Sequence, residues 1–212
     1  MYGVAHTMLT SNLAELREAG IPLASLYPAT QRVYQSVGYG SAGTMVWYRQ
    51  PISELHPAKR TALRVRGLSG SMEMLREVLE PLYRARAERT NGHLERSDWM
   101  WDRCFLKPGG KQTRDVYVIE RDGKAEGYVV CDHVRIPDQF RGRLEIRDWQ
   151  ATTPEAMRQI WCFVADHRSH MEFVRWHGPR AEPMLAMLDQ HQWEIDVSLT
   201  WMTRIVDVVE AL

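Results

Sequence analysis

The order of predicted elements indicates a mixed α/β (α+β) fold in two segments of unequal size. Residues 60–205 give strand, helix, helix, three strands, helix, strand, helix, strand. Residues 3–48 give only helix, strand, short helix, strand. Residues 50–59 carry two prolines and little apolar periodicity, which is typical of a linker. The sequence therefore predicts a short first domain over 1–49, a linker over 50–59 and a larger second domain over 60–205.

In the first segment, apolar residues recur at helical spacing up to a glycine that can cap the helix end; they are Val4, Met8, Leu9, Leu13 and Leu16, followed by Gly20. The apolar run 23–27, which ends at Pro28, predicts a buried parallel strand. Thr30 is a candidate N-cap for a helix over 31–37, and a strand follows over 44–48. A right-handed crossover also requires a strand before the first helix.

The second segment begins with a strand at 63–66 and two helices, the first marked by Leu75–Leu82 and the second capped by Ser97. Three strands over 116–119, 127–134 and 144–149 follow, with Asp122-Gly123 as a hairpin turn. Thr153 and Pro154 are a cap and first-turn pair for the next helix. The last elements are a strand at 173–176, a helix at 182–188 and a strand at 195–206.

Composition excludes several classes of protein. The chain has 212 residues, of which 44% are hydrophobic and 25% charged, so it can form a core. Lys and Arg together number 27, as do Asp and Glu, so no net charge attracts nucleic acid or an anionic membrane. No apolar run reaches the roughly 18 residues of a spanning helix. Three cysteines without metal-site spacing predict reduced thiols, and we expect a cytoplasmic protein.

The segment GVAHTMLTSNLAELREAGIPLASLYPATQRVYQSVGYG resembles the second half of the catalytic domain of Eis-type (enhanced intracellular survival) N-acetyltransferases of the GNAT superfamily. The resemblance implies a GNAT acyltransferase fold, as one half-copy followed by one complete degenerate copy. Eis-type proteins continue into a sterol-carrier-like C-terminal domain, and residues 206–212 resemble its start. On this interpretation the chain is truncated at both ends.

The resemblance implies acetyl-CoA as co-substrate and no metal. Enzymes of this type hold the CoA pyrophosphate on backbone amides of a glycine-containing loop at a helix start, where free N–H groups and the helix dipole favour anions. The matching positions are Tyr2, Gly3, Val4, Ala5 and His6. Ala5 replaces a glycine that is frequent in the family. Ala29 and Thr30 match further CoA-contacting positions.

Tyr34 matches the general acid of the Eis type. When an amine attacks a thioester, the departing thiolate needs a proton, and a phenol is protonated at neutral pH. Outside the resemblance, an aromatic residue on a short helix is more often a packing residue. Tyr39 is interpreted as a packing residue or turn anchor. The general base of the Eis type is its C-terminal carboxylate, a role that Leu212 cannot take because it ends a different segment.

In the second segment, the turn 150–154 contains no glycine and ends in Pro154, which lacks an amide, so it cannot bind phosphate in the same way. His167 and His170 could share a helix face for a metal, but a solvated or capping pair is the better interpretation. Asp132-His133 resembles half of a catalytic dyad without a nucleophile. The cysteines are expected to be inert core thiols.

These observations predict an N-acetyltransferase that transfers an acetyl group from acetyl-CoA to a primary amine, such as an aminoglycoside or a lysine side chain. The acceptor would be a small molecule or peptide, and the full-length protein a homo-oligomer. We expect little activity from this chain alone, because half of the CoA site is absent. The alternative is a non-catalytic binding or oligomerisation module, or an inactive remnant.

Overall fold

The computed structural model describes residues 3–56, 61–110, 113–188 and 192–212. These residues form five α-helices: α1 (Gly3–Glu18), α2 (Gln31–Gln35), α3 (Met72–Ala87), α4 (Asp98–Phe105) and α5 (Pro154–Asp166). They form eight strands: β1 (Leu23–Leu26), β2 (Gly40–Pro51), β3 (Arg64–Leu68), β4 (Asp115–Arg121), β5 (Lys124–Val134), β6 (Gly142–Ala151), β7 (Met171–Pro179) and β8 (Glu194–Ile205). None of the described helices combines the length and hydropathy that a membrane span requires. The mixed α/β class is confirmed.

The chain divides into two units: residues 1–46, 178–180 and 196–212 in the smaller, and residues 47–177 and 181–195 in the larger. Strands β2, β7 and β8 therefore each contribute to both units. Within the predicted linker, Gln50 and Pro51 end β2, Ile52 starts a 3₁₀ turn, and the side chains of Ile52 and Leu55 are buried. Residues 57–60 lie outside the described part of the chain.

In the smaller unit, Gly20 (φ 69°) ends α1, and the amide of Ile21 donates to the carbonyl of Leu16 at 2.9 Å, as in a Schellman cap. The chain then reverses into β1, which pairs antiparallel with β8. The prediction of a buried parallel strand here was wrong. Residues of β1 alternate between exposed and half-buried, because only one face of the strand packs on the unit.

In the larger unit, β3, β4, β5 and β6 pair antiparallel in sequence order, and β7 pairs parallel to β6. The predicted hairpin is present, since Asp122 and Gly123 have φ of 49° and 79°, as a type I′ turn requires. The helix predicted over 182–188 is instead a 3₁₀ turn, Pro183–Met187. The element order of this unit is otherwise confirmed.

Helices cover both faces of this sheet. On one face, α3 and α4 bury a cluster with alternate residues of β4 and β5; its members include Leu75, Leu79, Trp101, Phe105, Val116, Val118, Tyr128 and Val130. On the other face, Trp161 and Phe163 of α5 contact Trp176 and Tyr117. Because side chains alternate along a strand, these contacts assign each strand residue to one face.

Candidate functional site

The first turn of α1 is exposed and has no acidic side chain that would compete with an anion for its backbone amides. Gly3, Val4, Ala5 and His6 form its first turn, all four are exposed, and no acidic residue lies in that turn. The first N–H groups of a helix have no intrahelical acceptor and carry a partial positive charge. A Cβ at Gly3 would meet no atom within 4 Å. The turn can therefore accept an anion. Tyr2 lies outside the described residues.

The other predicted CoA-contacting residues lie between β1 and α2 in the smaller unit. Ala29 and Thr30 follow β1 after Tyr27 and Pro28, and both are exposed. Thr30 is the N-cap residue of α2, as predicted, but its hydroxyl makes no cap hydrogen bond. Helices α1 and α2 are in contact.

Tyr34 is half-buried on α2, and its ring lies against Tyr39. The two ring centroids are 6.0 Å apart at an interplanar angle of 74°, and the Tyr39 amide donates to the Tyr34 carbonyl at 3.1 Å. Tyr39 is only 6% exposed, and burial raises its pKa, with the charge of Arg204 acting in the opposite direction. This burial suits the packing role predicted for Tyr39, whereas Tyr34 remains partly open to solvent.

Arg204 supports this tyrosine pair and was not predicted. It lies on β8, and its Nη1 donates to the carbonyl of Gly38 at 3.4 Å. Gly38 has φ of 85°, and a Cβ there would lie 2.5 Å from Nη1 of Arg204. The guanidinium thus packs directly on the turn that connects Tyr34 to Tyr39. No sequence signal links residues 166 positions apart.

The start of α5 in the larger unit differs from that of α1. The Thr153 hydroxyl accepts from the Ala156 amide at 3.1 Å and donates to the carboxylate of Glu126 at 2.8 Å. Glu155 lies in the first turn, and Arg121 bridges both carboxylates. A capped helix start with two nearby acids disfavours a phosphate.

The histidines of the weaker sequence candidates contact other residues than the ones they were paired with in the sequence. His133 Nδ1 lies 2.9 Å from Asp115, and its ring centroid is 5.2 Å from that of His167, while His170 bonds to Ser169. Within the described ranges, no group of three or more His, Cys, Asp or Glu residues is arranged to hold a metal ion. Cys131 and Cys162 are buried and Cys104 is half-buried; burial raises the thiol pKa of both Cys104 and Cys131.

Comparison with known families decides the assignment. Residues 92–205 match a family described as Acetyltransferase (GNAT) domain, and residues 2–42 match a second family with the same description. The chain belongs to the GNAT acetyltransferase family. GNAT proteins use acetyl-CoA or another acyl-CoA as donor for acyl transfer.

Individual GNAT relatives are longer than this chain. An uncharacterized N-acetyltransferase of Streptomyces griseus is 29% identical over 76% of this chain and 42% of its own length. A GCN5-related N-acetyltransferase structure from Anabaena variabilis is 29% identical, with a TM-score of 0.87 over 99% of this chain and 52% of that one. Eis1 from Mycobacterium abscessus shares the fold, with a TM-score of 0.68 at 19% identity over 97% of this chain and 53% of that one. The chain thus spans about half the length of each of these three relatives.

Proposed function

We propose that the complete protein is an Eis-type N-acetyltransferase that transfers the acetyl group of acetyl-CoA to a primary amine, such as an aminoglycoside or a lysine side chain. The observation that supports this proposal best is that three features belong to the same unit. They are the exposed first turn of α1, the exposed residues Ala29 and Thr30 before α2, and the half-buried Tyr34 on α2, the helix that contacts α1.

In this proposal the first turn of α1 binds the CoA pyrophosphate. Amides of Gly3 to His6 would donate to phosphate oxygens, and the helix dipole would add a favourable field. Ala29 and Thr30 would contact CoA beside them. The Thr30 hydroxyl makes no cap bond and can serve as donor to this ligand.

Tyr34 acts as the general acid. The amine nitrogen attacks the thioester carbonyl carbon, the carbon–sulfur bond then breaks, and the phenol transfers its proton to the departing thiolate. The amine loses its own proton to a base elsewhere in the complete protein. Tyr39 and Arg204 hold the turn next to Tyr34 and take no part in proton transfer.

The larger unit serves as a non-catalytic partner domain. Support comes from its capped α5 start and from Glu126 and Glu155 beside it, which oppose phosphate binding. The domain division at 1–49, 50–59 and 60–205, with 206–212 entering a sterol-carrier-like domain, belongs to the same proposal.

The affinity of the Ala5→Glu variant for CoA tests the proposal. A carboxylate in the first turn stabilises a helix through its dipole, yet it repels phosphate, so weaker binding cannot come from a weaker helix. At about 4 Å, the repulsion between unit charges is about 1 to 4 kcal/mol, or roughly fivefold or more in Kd. Ala14→Glu adds the same charge to an exposed position further along α1 and should leave Kd unchanged.

Isothermal titration with CoA measures both variants against the wild type, each of them as the complete protein. Loss of affinity in Ala5→Glu alone supports the phosphate site. Equal affinity in all three proteins would show that CoA does not bind at the start of α1. An absence of CoA binding in the wild type would favour the non-catalytic module instead.

A further inference from the structure

One loop of the larger unit presents an aromatic ring to solvent. Phe140 lies in the connection between β5 and β6, and it is 99% exposed. A phenyl ring contributes most to binding when it leaves water. A ring that is held in solvent by an ordered loop is therefore a candidate contact residue.

The loop that carries Phe140 contains a tight turn. The Gln139 amide donates to the Ile136 carbonyl at 3.3 Å. Between these two residues lie Pro137 and Asp138, and Asp138 has φ of 60°. Proline followed by a positive φ is typical of a type II turn. The backbone next to Phe140 is thus preorganised, which lowers the entropy cost of binding.

Two arginines flank this turn. Arg135 and Arg141 are both exposed, and neither forms an ion pair with any residue that the structure describes. Residues 135–141, which we call the tip, contain one acid, Asp138, so two arginines and one aspartate give the tip a net charge of +1. The tip therefore combines an exposed phenyl ring with positive charge.

A cavity in the same unit has the complementary properties. It has a volume of about 260 Å³ and lies beside the C-terminal half of α3 and the loop before α4. Its apolar walls include Tyr83, Ala87, Leu94 and Trp101. Leu94 is 62% exposed, so the cavity is open to solvent on that side. A dry apolar cavity of about 150 Å³ already binds benzene, so this one is large enough for a phenyl ring.

The rim of the cavity carries free negative charge. The two arginines that line the cavity already pair with carboxylates, namely Arg84 with Glu80 and Arg96 with Asp148. Glu88 and Glu95 also line it and are exposed. Within the described ranges of the chain, neither of these two carboxylates forms an ion pair. They are available to cations of another molecule.

The tip and the cavity do not meet within one chain. Arg96, which lines the cavity, bonds to Asp148 near the end of β6, whereas the tip immediately precedes Gly142 at the start of β6. The strand between Gly142 and Asp148 spans about 20 Å at roughly 3.3 Å per residue. A contact between the tip and the cavity therefore requires two molecules.

We propose that the tip of one copy of this protein inserts Phe140 into the cavity of a second copy. The two arginines of the tip then lie against the two free carboxylates of the rim. A second copy is the favoured partner because one chain carries both the aromatic, positive tip and the apolar, negative cavity. The contact joins two different surfaces, so it continues from copy to copy until a ring closes. It does not depend on acetyl transfer.

Photochemical cross-linking of the complete protein locates the contact. A diazirine analogue of phenylalanine at position 140 should form cross-links between copies to peptides that contain Leu94 or Trp101. Mass spectrometry of a mixture of isotope-labelled and unlabelled copies shows which cross-links join two molecules. The same analogue at position 74 is the matched control, since Met74 is an apolar residue on α3 that is 55% exposed. It should give no cross-link between copies to these peptides.

Charge reversal tests whether the rim and the tip recognise each other. Glu88→Lys with Glu95→Lys should lower the yield of the cross-link from position 140 by roughly tenfold, because two attractive pairs become repulsive. Addition of Arg135→Glu with Arg141→Glu to that protein should restore the yield. All four side chains are exposed, so these changes should not disturb the fold.

Sedimentation velocity measures the contribution of the ring itself. Phe140→Ser should weaken self-association of the complete protein by roughly thirtyfold in Kd, as expected for an aromatic residue at the centre of a contact. Met74→Ser should leave the Kd unchanged.

The proposal is overturned if the wild type is a monomer, if cross-links from position 140 reach other surfaces only, or if the fourfold charge reversal does not restore the yield. Co-sedimentation of the wild type with phosphatidylcholine–phosphatidylserine vesicles, lost in Phe140→Ser, would assign the tip to a membrane surface and would also overturn it.

Discussion

Replacement of Glu182 by Gln should change how the stability of the larger unit depends on pH. Glu182 is 6% exposed and accepts a hydrogen bond from the Met184 amide at 3.1 Å. Met184 is fully buried, and its carbonyl accepts from Nε1 of Trp161 on α5 at 2.9 Å. Burial raises the pKa of Glu182 from 4.5 to about 7, while the Met184 amide and Arg86 act in the opposite direction.

Whether stability rises or falls with pH depends on which state, folded or unfolded, releases the Glu182 proton first. Below about pH 4.5, Glu182 is protonated in both the folded and the unfolded chain. Between pH 4.5 and about 7 only the unfolded chain releases the proton, so stability falls as pH rises, and above pH 7 the effect is constant. At 1.36 kcal/mol per pH unit, the loss reaches about 3 kcal/mol. Gln cannot ionise, and its side-chain carbonyl can still accept from Met184.

Urea unfolding at pH 4.5, 6 and 8 measures this effect in the wild type and in Glu182→Gln. The difference in unfolding free energy between the two proteins at pH 4.5 gives the effect of the introduced side-chain amide apart from ionisation. Relative to that baseline, we expect the variant to gain about 3 kcal/mol by pH 8. Parallel stability curves for the two proteins over this range would refute a buried, protonated Glu182.

Two further changes test the packing of the larger unit. Gly127→Ala should lower the free energy of urea unfolding by about 1 to 3 kcal/mol, because the new Cβ would lie 2.7 Å from the Gln150 carbonyl oxygen. Gly67→Ala is the control, since its Cβ would meet no atom within 4 Å, and it should be neutral or stabilising. Arg96→Met should lower the free energy of unfolding by about 3 to 5 kcal/mol. It removes both hydrogen bonds from Arg96 to Asp148, at 2.6 and 3.0 Å, and leaves the largely buried Asp148 carboxylate without its cation. A loss below about 1 kcal/mol would contradict this.

Local patterns in the sequence predicted most elements of the fold. Thr153-Pro154 and Asp122-Gly123 marked a helix start and a turn, because capping and positive φ depend on neighbouring residues. The prediction of a buried strand over 23–27 was wrong, because apolar composition alone does not show how many faces of a strand are covered. The prediction for 182–188 was wrong because a five-residue segment that begins with a proline fits a 3₁₀ turn as well as an α-helix.

Features that depend on pairing between distant segments could not be predicted. Arg204 reaches the turn beside Tyr34 only because β8 pairs with β1 in the same unit. The buried carboxylates of Asp132 and Glu145 lie opposite each other because these residues are register partners on β5 and β6. Asp132 was considered only with its sequence neighbour His133, whereas the fold places these two side chains on opposite faces.

Steady-state kinetics of Tyr34→Phe in the complete gene product test the central claim most directly. The assay follows release of the CoA thiol from acetyl-CoA with a primary amine acceptor. Positioned proton transfer typically contributes about 10² to 10⁴-fold, so kcat should fall by that order while KM for acetyl-CoA and thermal stability change little. Tyr39→Phe should leave kcat nearly unchanged. Equal losses of kcat in both variants, or a loss in Tyr34→Phe that follows lost stability, would contradict the assignment of Tyr34 as general acid.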